Sequence, residues 1–192
     1  VYHNEGFYPD EQVDGGVWRA GSRVHRFARA LEGFLYERAD GLIVLSERAK
    51  AVLLERPGVG RRRIIVVPSA VDLDAFRPAG PLDADRSPSA VYLGSVGGRY
   101  RLDFAGRFVG ALRELQPDAS LTVISRAPAE LVGGTLDRSG LPRAAWRLLA
   151  VAHRDVPNEL RRHDVGLLFH TPGISEHGGS PTKVGEYLAS GL

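Results

Sequence analysis

The C-terminal segment from Gly179 to Leu192, GSPTKVGEYLASGL, has the residue types and spacing best suited to bind a phosphorylated ligand. Ser180 and Pro181 predict the N-cap and first residue of a helix, and Gly191 suits the position just after its end. The first backbone amides of a helix have no partner within it, so they attract phosphate. The segment therefore predicts an anion-binding helix N-terminus.

Two charged side chains of this helix could hold such a ligand. Lys183 lies in the first turn, where a cation opposes the helix dipole unless an anion shares the site. Glu186 follows about 4.5 Å further along the axis, and its carboxylate could accept hydrogen bonds from two hydroxyl groups. A diphosphate on Lys183 and a ribose diol on Glu186 fit this spacing. The alternative is an exposed ion pair between the two side chains, three residues apart.

A second glycine-rich segment, GSVGGRYR at 94–101, follows the apolar run VYL. Gly97 and its neighbours predict a turn from a strand into a helix, but their spacing differs from the GxGxxG of dinucleotide enzymes. Arg99 and Arg101 are the cations available here. We favour Arg99 as a contact to a diphosphate, with a surface arginine as the alternative.

The composition is that of a globular protein without disulfides. The chain has 192 residues, of which 43% are hydrophobic and 25% charged, and cysteine is absent. The net charge is only +2, which argues against nucleic acid as a partner. The chain begins at Val1, and we expect an internal fragment of a longer protein that is inactive by itself. We expect a cytoplasmic location, with the inner face of the membrane as a peripheral alternative.

Strands alternate with helices along the chain, which predicts an α/β fold of two Rossmann-like domains with parallel sheets, both incomplete. The predicted strands are 42–45, 64–67, 90–93, 121–124, 148–151 and 165–169. The predicted helices are about 17–40, 46–54, 102–115, 141–146, 156–163 and 181–190. The segment 77–90, rich in proline and small residues, predicts a linker between a domain at 1–76 and a domain at 91–192.

The predicted helix 17–40 combines an apolar face with basic residues. Its apolar residues recur at helical spacing: Val24, Phe27, Ala28, Leu31, Phe34 and Leu35. Arginines at 19, 23, 26 and 29 oppose the helix dipole, which favours an anionic partner such as a membrane surface or a lipid phosphate. The alternative is a helix that packs on the core and leaves a solvated basic face. A second basic cluster, at 61–63, predicts an exposed loop.

The segment SPTKVGEYLASGL resembles the donor site of retaining glycosyltransferases of the GT-B fold, in family four. Three more segments resemble this family in the expected order. HNEGFYPDEQVDGGVWRAGS is similar to the loop before the long helix of the acceptor domain, and ADGLIVLSERAKAVL to its late strand and helix. VPSAVDLDAFRP is similar to the crossover into the donor domain, with Ser69 and Ala70 where Asn-Gly is usual.

The resemblance implies an enzyme that moves a sugar from a nucleotide diphosphate sugar to an acceptor hydroxyl with retention, without a metal or other cofactor. The acceptor would be a glycan, a lipid-linked sugar or a small molecule. Glu186 would contact the ribose. The other donor-binding residues would be Gly97, Arg99, Gly178, Gly179, Ser180, Thr182 and Lys183.

The sequence departs from the family where a second glutamate is expected, eight residues before Glu186. Gly178 occupies that position, and Glu176 could replace the missing carboxylate only if the loop were rearranged. Otherwise Glu176 and His177 are solvated loop residues. In the HNEG loop, Glu5 stands where related enzymes have histidine, so no catalytic residue is assigned there. A nucleotide-sugar epimerase and a non-catalytic nucleotide-sugar-binding module remain alternatives.

Overall fold

The computed structural model describes residues 1–60, 63–80 and 86–192. They form two compact units, and each contains one parallel sheet. The first unit comprises Val1–Ser69 and Thr171–Pro181, and the second comprises Ala70–His170 and Thr182–Leu192. The predicted α/β class with two parallel sheets is confirmed.

The first unit has a sheet of three parallel strands in the order β1-β2-β3. Its elements are β1 (Tyr2–Asn4), α1 (Tyr8–Asp14), α2 (Arg23–Arg38), β2 (Gly41–Val44), α3 (Glu47–Leu54) and β3 (Arg63–Val66). Ser46 caps α3, because its side chain accepts a hydrogen bond from the amide of Ala49 at 2.9 Å. The core consists of Phe7, Tyr36, Leu42, Val44, Ala49, Leu53, Val59 and Ile64.

The second unit has a sheet of four parallel strands in the order β6-β5-β4-β7. The strands are β4 (Ser89–Leu93), β5 (Ser120–Ile124), β6 (Trp146–Leu149) and β7 (Val165–Leu167). The helices are α4 (Leu102–Leu115), α5 (Ala129–Ser139), α6 (Val156–Leu160) and α7 (Thr182–Ser190). Neighbouring residues of β4 belong to different cores: Tyr92 packs with Leu102 and Leu121, whereas Val91 packs in another cluster. Both faces are thus covered, which explains the continuous apolar runs of these strands.

One helix of the second unit differs from its sequence prediction. The predicted helix 141–146 is wrong, because this stretch holds only a 3-10 turn at Arg143–Ala145. The helix lies earlier, as α5, where Val132 and Leu136 are fully buried. The pair Gly133 and Gly134 lowers the intrinsic helix propensity of that segment and conceals it. Packing of α5 against α4 outweighs this weak local preference.

Helix α2 also differs from the prediction. It begins after its N-cap, Ser22, and is shorter than the predicted 17–40, and part of the segment predicted as a loop forms α1. Its predicted apolar face points outward, while Glu32 and Tyr36 are buried. The alternative, in which the apolar face of this helix packs on the core, is therefore wrong for the described residues. The helix is held instead by buried ion pairs of its polar side, such as Arg56–Glu32 at 2.9 Å.

The compact units divide the chain differently from the predicted domain ranges. The boundary between them falls after Ser69, and the segment Thr171–Pro181 belongs to the first unit. Hydrogen bonds hold this segment: the amide of Ser175 donates to Asp14 at 3.0 Å, for example, and the Ser46 hydroxyl donates to the His177 carbonyl at 2.6 Å. Residues 61–62 of the basic cluster and 81–85 of the predicted linker lie outside the described residues. The predicted domain ranges stay predictions.

Candidate functional site

A cavity of about 660 Å³ opens at the carboxyl ends of the strands of the second unit. Ligands of open parallel sheets bind at this edge. Its lining comes from the segments after β4, β5 and β6 and from the first turns of α7. The lining residues are Leu93–Val96, Ile124–Pro128, Leu131, Val151, His153, Val156, Thr182, Lys183 and Glu186.

Helix α7 is fixed to the sheet by Tyr187, which is 5% exposed. Its hydroxyl accepts a hydrogen bond from the amide of Leu93 at 2.9 Å and donates one to the carbonyl of Leu167 at 3.3 Å. Burial raises the pKa of Tyr187, so the phenol stays neutral and can donate. A Cβ on Gly166 would come within 2.4 Å of the ring, so glycine leaves the space that the ring fills. The helix is thereby tied to both β4 and β7.

The turn after β4 leaves room for Lys183. Gly94 has a φ of +145°, and a Cβ there would lie 2.9 Å from Cε of Lys183. Glycine at this position permits both the backbone conformation and the path of the lysine side chain. The charged ends of Lys183 and Glu186 form no ion pair or hydrogen bond with each other or with any other described residue. The alternative of an exposed Lys183–Glu186 ion pair is therefore wrong.

The far end of the cavity contains residues that the sequence analysis missed. Arg126 and His153 follow β5 and β6, and both belong to the cavity wall. The Ser125 hydroxyl accepts a hydrogen bond from the Ala127 amide at 3.2 Å and shapes the turn that carries Arg126. Leu131 and Val151 supply apolar surface nearby. The sequence could have indicated these residues only by their position, because they closely follow strands of a parallel sheet, whose carboxyl ends bind ligands.

The glycine-rich turn forms as predicted, but its predicted ligand-binding residues lie outside the cavity lining. Gly97 has a φ of +93° and pairs with Tyr100, while the guanidinium of Arg99 lies 5.6 Å from the ring centre of Tyr100. Arg101 binds Asp103 through two hydrogen bonds of 2.8 and 2.7 Å, and this lowers the pKa of Asp103. The guanidinium of Arg101 is therefore already paired with a carboxylate. Donor contacts by Gly97 and Arg99 stay predictions.

The predicted residues between 176 and 180 belong to the first unit and do not line the cavity. Gly178 is buried, and a Cβ there would lie 3.0 Å from the backbone of Gly6 and of Phe7. This crowding gives a physical reason why the glutamate expected here is absent. Glu176 lies in a 3-10 turn, Gly179 ends that turn, and the hydroxyl of Ser180 accepts from the Ser69 amide at 3.3 Å. Of the predicted donor-binding residues, the cavity lining includes Thr182, Lys183 and Glu186.

The part of the chain that the structure describes contains neither a metal-ligand cluster nor a membrane-spanning helix. There, no three or more histidine or acidic side chains cluster closely enough to hold a metal ion. No described helix is both long and apolar enough to span a bilayer. The absence of a metal cofactor stays a prediction.

Comparison with known proteins identifies the fold. Residues 1–75 match the family model described as Glycosyltransferase Family 4, and no curated protein matches the sequence. Sucrose-phosphate synthase from Thermosynechococcus elongatus aligns over 81% of this chain and 43% of its own, with a TM-score of 0.57 at 17% identity. The fold is that of the GT-B glycosyltransferases.

Two other GT-B structures agree. The pneumococcal O-GlcNAc transferase GtfA, in complex with UDP and GlcNAc, aligns over 83% of this chain and 31% of its own, with a TM-score of 0.58 at 16% identity. A structure of S. aureus TarM that contains UDP aligns over 75% and 29%, with a TM-score of 0.56 at 12% identity. The present chain thus spans less than half the length of each of these GT-B proteins.

Proposed function

We propose that this chain forms part of a retaining glycosyltransferase that takes its sugar from a nucleoside diphosphate donor. The observation that carries the proposal is the pairing of Lys183 and Glu186 in the cavity. Neither side chain has a polar partner among the described residues, and both project from a helix that Tyr187 fixes to the sheet. A cation and a carboxylate placed in this way suit a ligand with an anionic part and a diol.

The order of the strands suggests how the donor lies. The lining runs from β6 across β5 and β4 to α7, and strands about 4.8 Å apart make the part from β6 to β4 roughly 10 Å long. We place the diphosphate near Gly94, Lys183 and the first amides of α7, and the ribose at Glu186. The base would then lie toward Arg126 and the apolar surface beside β6. The volume of about 660 Å³ falls within the range of pockets for small molecules.

The chemistry that follows is the departure of the diphosphate. When the bond between the sugar and the phosphate oxygen breaks, negative charge accumulates on the diphosphate. Lys183 and the helix amides would stabilise this charge, which lowers the barrier. The acceptor oxygen would bond to the same carbon on the same face of the sugar, so that the configuration is retained, and its proton would pass to the departing diphosphate. Glu176 is the candidate catalytic residue of this proposal, and it lies in the first unit rather than in the cavity wall.

Calorimetry with UDP tests the donor site in this chain. UDP is the first probe because two of the similar structures contain it. We expect Glu186→Ala to weaken UDP binding at least tenfold, through the loss of about 1.5–3 kcal/mol of charged hydrogen bonding. Glu130→Ala is the matched control, because Glu130 is also a glutamate on a helix of the second unit but is outside the cavity lining. Unchanged affinity in Glu186→Ala would remove Glu186 from the site, and GDP and ADP serve as probes if UDP does not bind.

Transfer is tested separately in the complete protein, with a UDP-sugar and an acceptor mixture. NMR of the product identifies its anomeric configuration, and an inverted product would contradict retention. Interconversion of the donor sugar without transfer would support the epimerase instead. Donor binding with neither reaction would support a non-catalytic binding module. A complete protein that binds no nucleoside diphosphate would overturn the proposed function.

A further inference from the structure

The segment between β7 and α7 contains Glu176, and its backbone is held on both sides of that residue. On one side, the amide of Ser175 donates to a carboxylate oxygen of Asp14 at 3.0 Å, and Ser175 is fully buried. On the other side, the carbonyl of His177 accepts from the Ser46 hydroxyl at 2.6 Å. Asp14 belongs to α1, and Ser46 is the N-cap of α3. The two neighbours of Glu176 are therefore tied to two different helices.

Asp14 occupies a position that its own helix does not favour. It is the last residue of α1, where the helix dipole opposes a negative charge, and the last turn contains no basic residue. Its carboxylate instead accepts the hydrogen bond from Ser175, which lies far along the chain. A hydrogen bond to an ionised carboxylate is stronger than one between neutral groups. The position of Asp14 is therefore explained by the segment that it holds.

Gly173 leaves the space that the carboxylate of Asp14 occupies. A Cβ on Gly173 would overlap the carboxylate carbon and both of its oxygens. The backbone of Gly173 is extended, with a φ of −178°, so other residues could adopt this conformation without strain. The need for glycine therefore comes from the close approach of Asp14 and not from the backbone conformation.

We propose that Asp14 is a positioning residue for the transfer reaction, which it serves by fixing the backbone beside Glu176. Ser46 fixes the backbone on the other side. A carboxylate that takes part in the chemistry must be held close to the reacting atoms, and a misplacement of about 1 Å can cost roughly a hundredfold in rate. The proposal rests on the proposed function, since it takes sugar transfer as the reaction and Glu176 as its carboxylate. It adds a residue that acts through the peptide backbone and not on the substrate.

Initial rates of transfer by the complete protein test this role, with UDP-glucose and UDP-N-acetylglucosamine as donors and the acceptor mixture used above. We expect Asp14→Ala to lower kcat about tenfold or more. The KM for the donor and the affinity for UDP should stay the same, because the donor cavity belongs to the second unit. Asp14→Asn keeps an oxygen that can accept from the Ser175 amide, so it should retain most of kcat. Gly173→Ala should resemble Asp14→Ala, because its Cβ displaces the carboxylate.

Matched controls come from the same unit. Asp40→Ala removes an aspartate that is exposed. Gly33→Ala adds a Cβ that would meet no atom within 4 Å. Both variants should keep the wild-type kcat. Gly173→Ala removes no polar group, so it keeps the test valid if Asp14→Ala does not fold.

A double-variant cycle separates positioning from a general loss of structure. Glu176→Gln should lower kcat at least as far as Asp14→Ala does. When Asp14→Ala is added to Glu176→Gln, kcat should fall little further, because residues that act as a unit have non-additive effects. The same factor of loss in both backgrounds would show that Asp14 acts on the fold in general, which overturns the proposal.

Three other results would also overturn it. Wild-type kcat in Asp14→Ala shows that the hydrogen bond to Ser175 is not needed. Equal losses in Asp14→Ala and Asp14→Asn show that the charge matters instead of the hydrogen bond. Unchanged kcat in Glu176→Gln leaves no carboxylate to position. Failure of the proposed function is seen separately in the wild type, as absence of UDP binding or of transfer.

Discussion

At the scale of single residues, Gly94 determines where the ammonium group of Lys183 can lie. Its φ of +145° strains any other residue, and a Cβ would meet Cε of Lys183 at 2.9 Å. The lysine tip is flexible, so the clash would be relieved by moving the side chain rather than the backbone. Because Lys183 is the cation that we assign to the diphosphate, moving its side chain would weaken the binding of the ligand.

We therefore expect Gly94→Ala to weaken UDP binding about tenfold, measured by calorimetry. The substitution adds backbone strain of about 1–3 kcal/mol, so its stability must be measured as well. Gly140→Ala is the matched control: Gly140 also has a positive φ, of +83°, but a Cβ added there would meet no atom within 4 Å. Equal loss of affinity in both variants would assign the effect to strain instead of to Lys183.

His163 contributes a residue-scale dependence of stability on pH. It is 1% exposed, its Nδ1 lies 2.6 Å from the Ser89 hydroxyl, and its Nε2 lies 3.8 Å from Glu159. Burial, reinforced by the nearby Arg147 and Arg86, lowers its pKa to about 4. The folded state therefore excludes a proton that the unfolded chain binds below its ordinary pKa of about 6.5.

Because the unfolded state binds more protons than the folded state below pH 6.5, the free energy of unfolding falls as the pH falls toward 4. The full loss is about 3 kcal/mol, at roughly 1.4 kcal/mol per pH unit. Urea unfolding between about pH 7 and 4 measures it, with Trp146 fluorescence in a Trp18→Phe background reporting the second unit. His163→Gln should remove most of this pH dependence. An unchanged slope in that variant would assign the effect to other groups.

At the scale of elements, α7 illustrates what can be read from sequence. Ser180, Pro181 and Gly191 predicted a helix at about 181–190, and it forms as Thr182–Ser190. Its C-terminus has the expected left-handed Gly191, and the amide of Leu192 donates to the backbone carbonyl of Tyr187 at 3.0 Å. The predicted N-cap, Ser180, does not cap the helix, because its hydroxyl accepts from the Ser69 amide and the helix begins at Thr182. Local rules placed the helix and its C-terminal glycine because these depend on neighbours in the chain.

Features that depend on distant residues could not be predicted in the same way. The periodicity of α2 identified its apolar face but not its direction, which depends on Asp10 and Arg56 from other parts of the chain. Arg126 was missed because no local motif marks it, and only the assembled sheet brings it to the cavity. The contacts of Tyr187 with Leu93 and Leu167 likewise appear only after the strands pair.

Those contacts give a prediction for α7 as an element. Tyr187→Phe removes the acceptor for the amide of Leu93 and should lower the free energy of unfolding by about 1–3 kcal/mol. It should also weaken UDP binding severalfold, because Lys183 and Glu186 are positioned by the helix that Tyr187 anchors. Urea unfolding and calorimetry measure the two effects. Gly166→Ala would place a Cβ of β7 against the Tyr187 ring, so it should also lower the free energy of unfolding and weaken UDP binding. Full UDP affinity in both variants would show that α7 is positioned without this anchor.

At the scale of the whole molecule, the division into two units separates the predicted site residues. Thr182, Lys183 and Glu186 belong to the second unit, whereas Gly178, Gly179 and Ser180 belong to the first. Every residue of the cavity lining belongs to the second unit. Donor binding, as we propose it, is therefore a property of the second unit.

Hydrogen exchange in the complete chain tests this separation. Saturating UDP should slow amide exchange by at least tenfold in α7 and in the segments after β4 and β5, since a ligand that binds only the folded state stabilises the unit that holds it. Exchange in α3 of the first unit should stay unchanged, which makes α3 an internal reference. Glu186→Ala at the same UDP concentration should reduce the protection. Protection that appears equally in α3 would show that the nucleotide site is not confined to the second unit, and the segment Thr171–Pro181 would then regain its predicted place in donor binding.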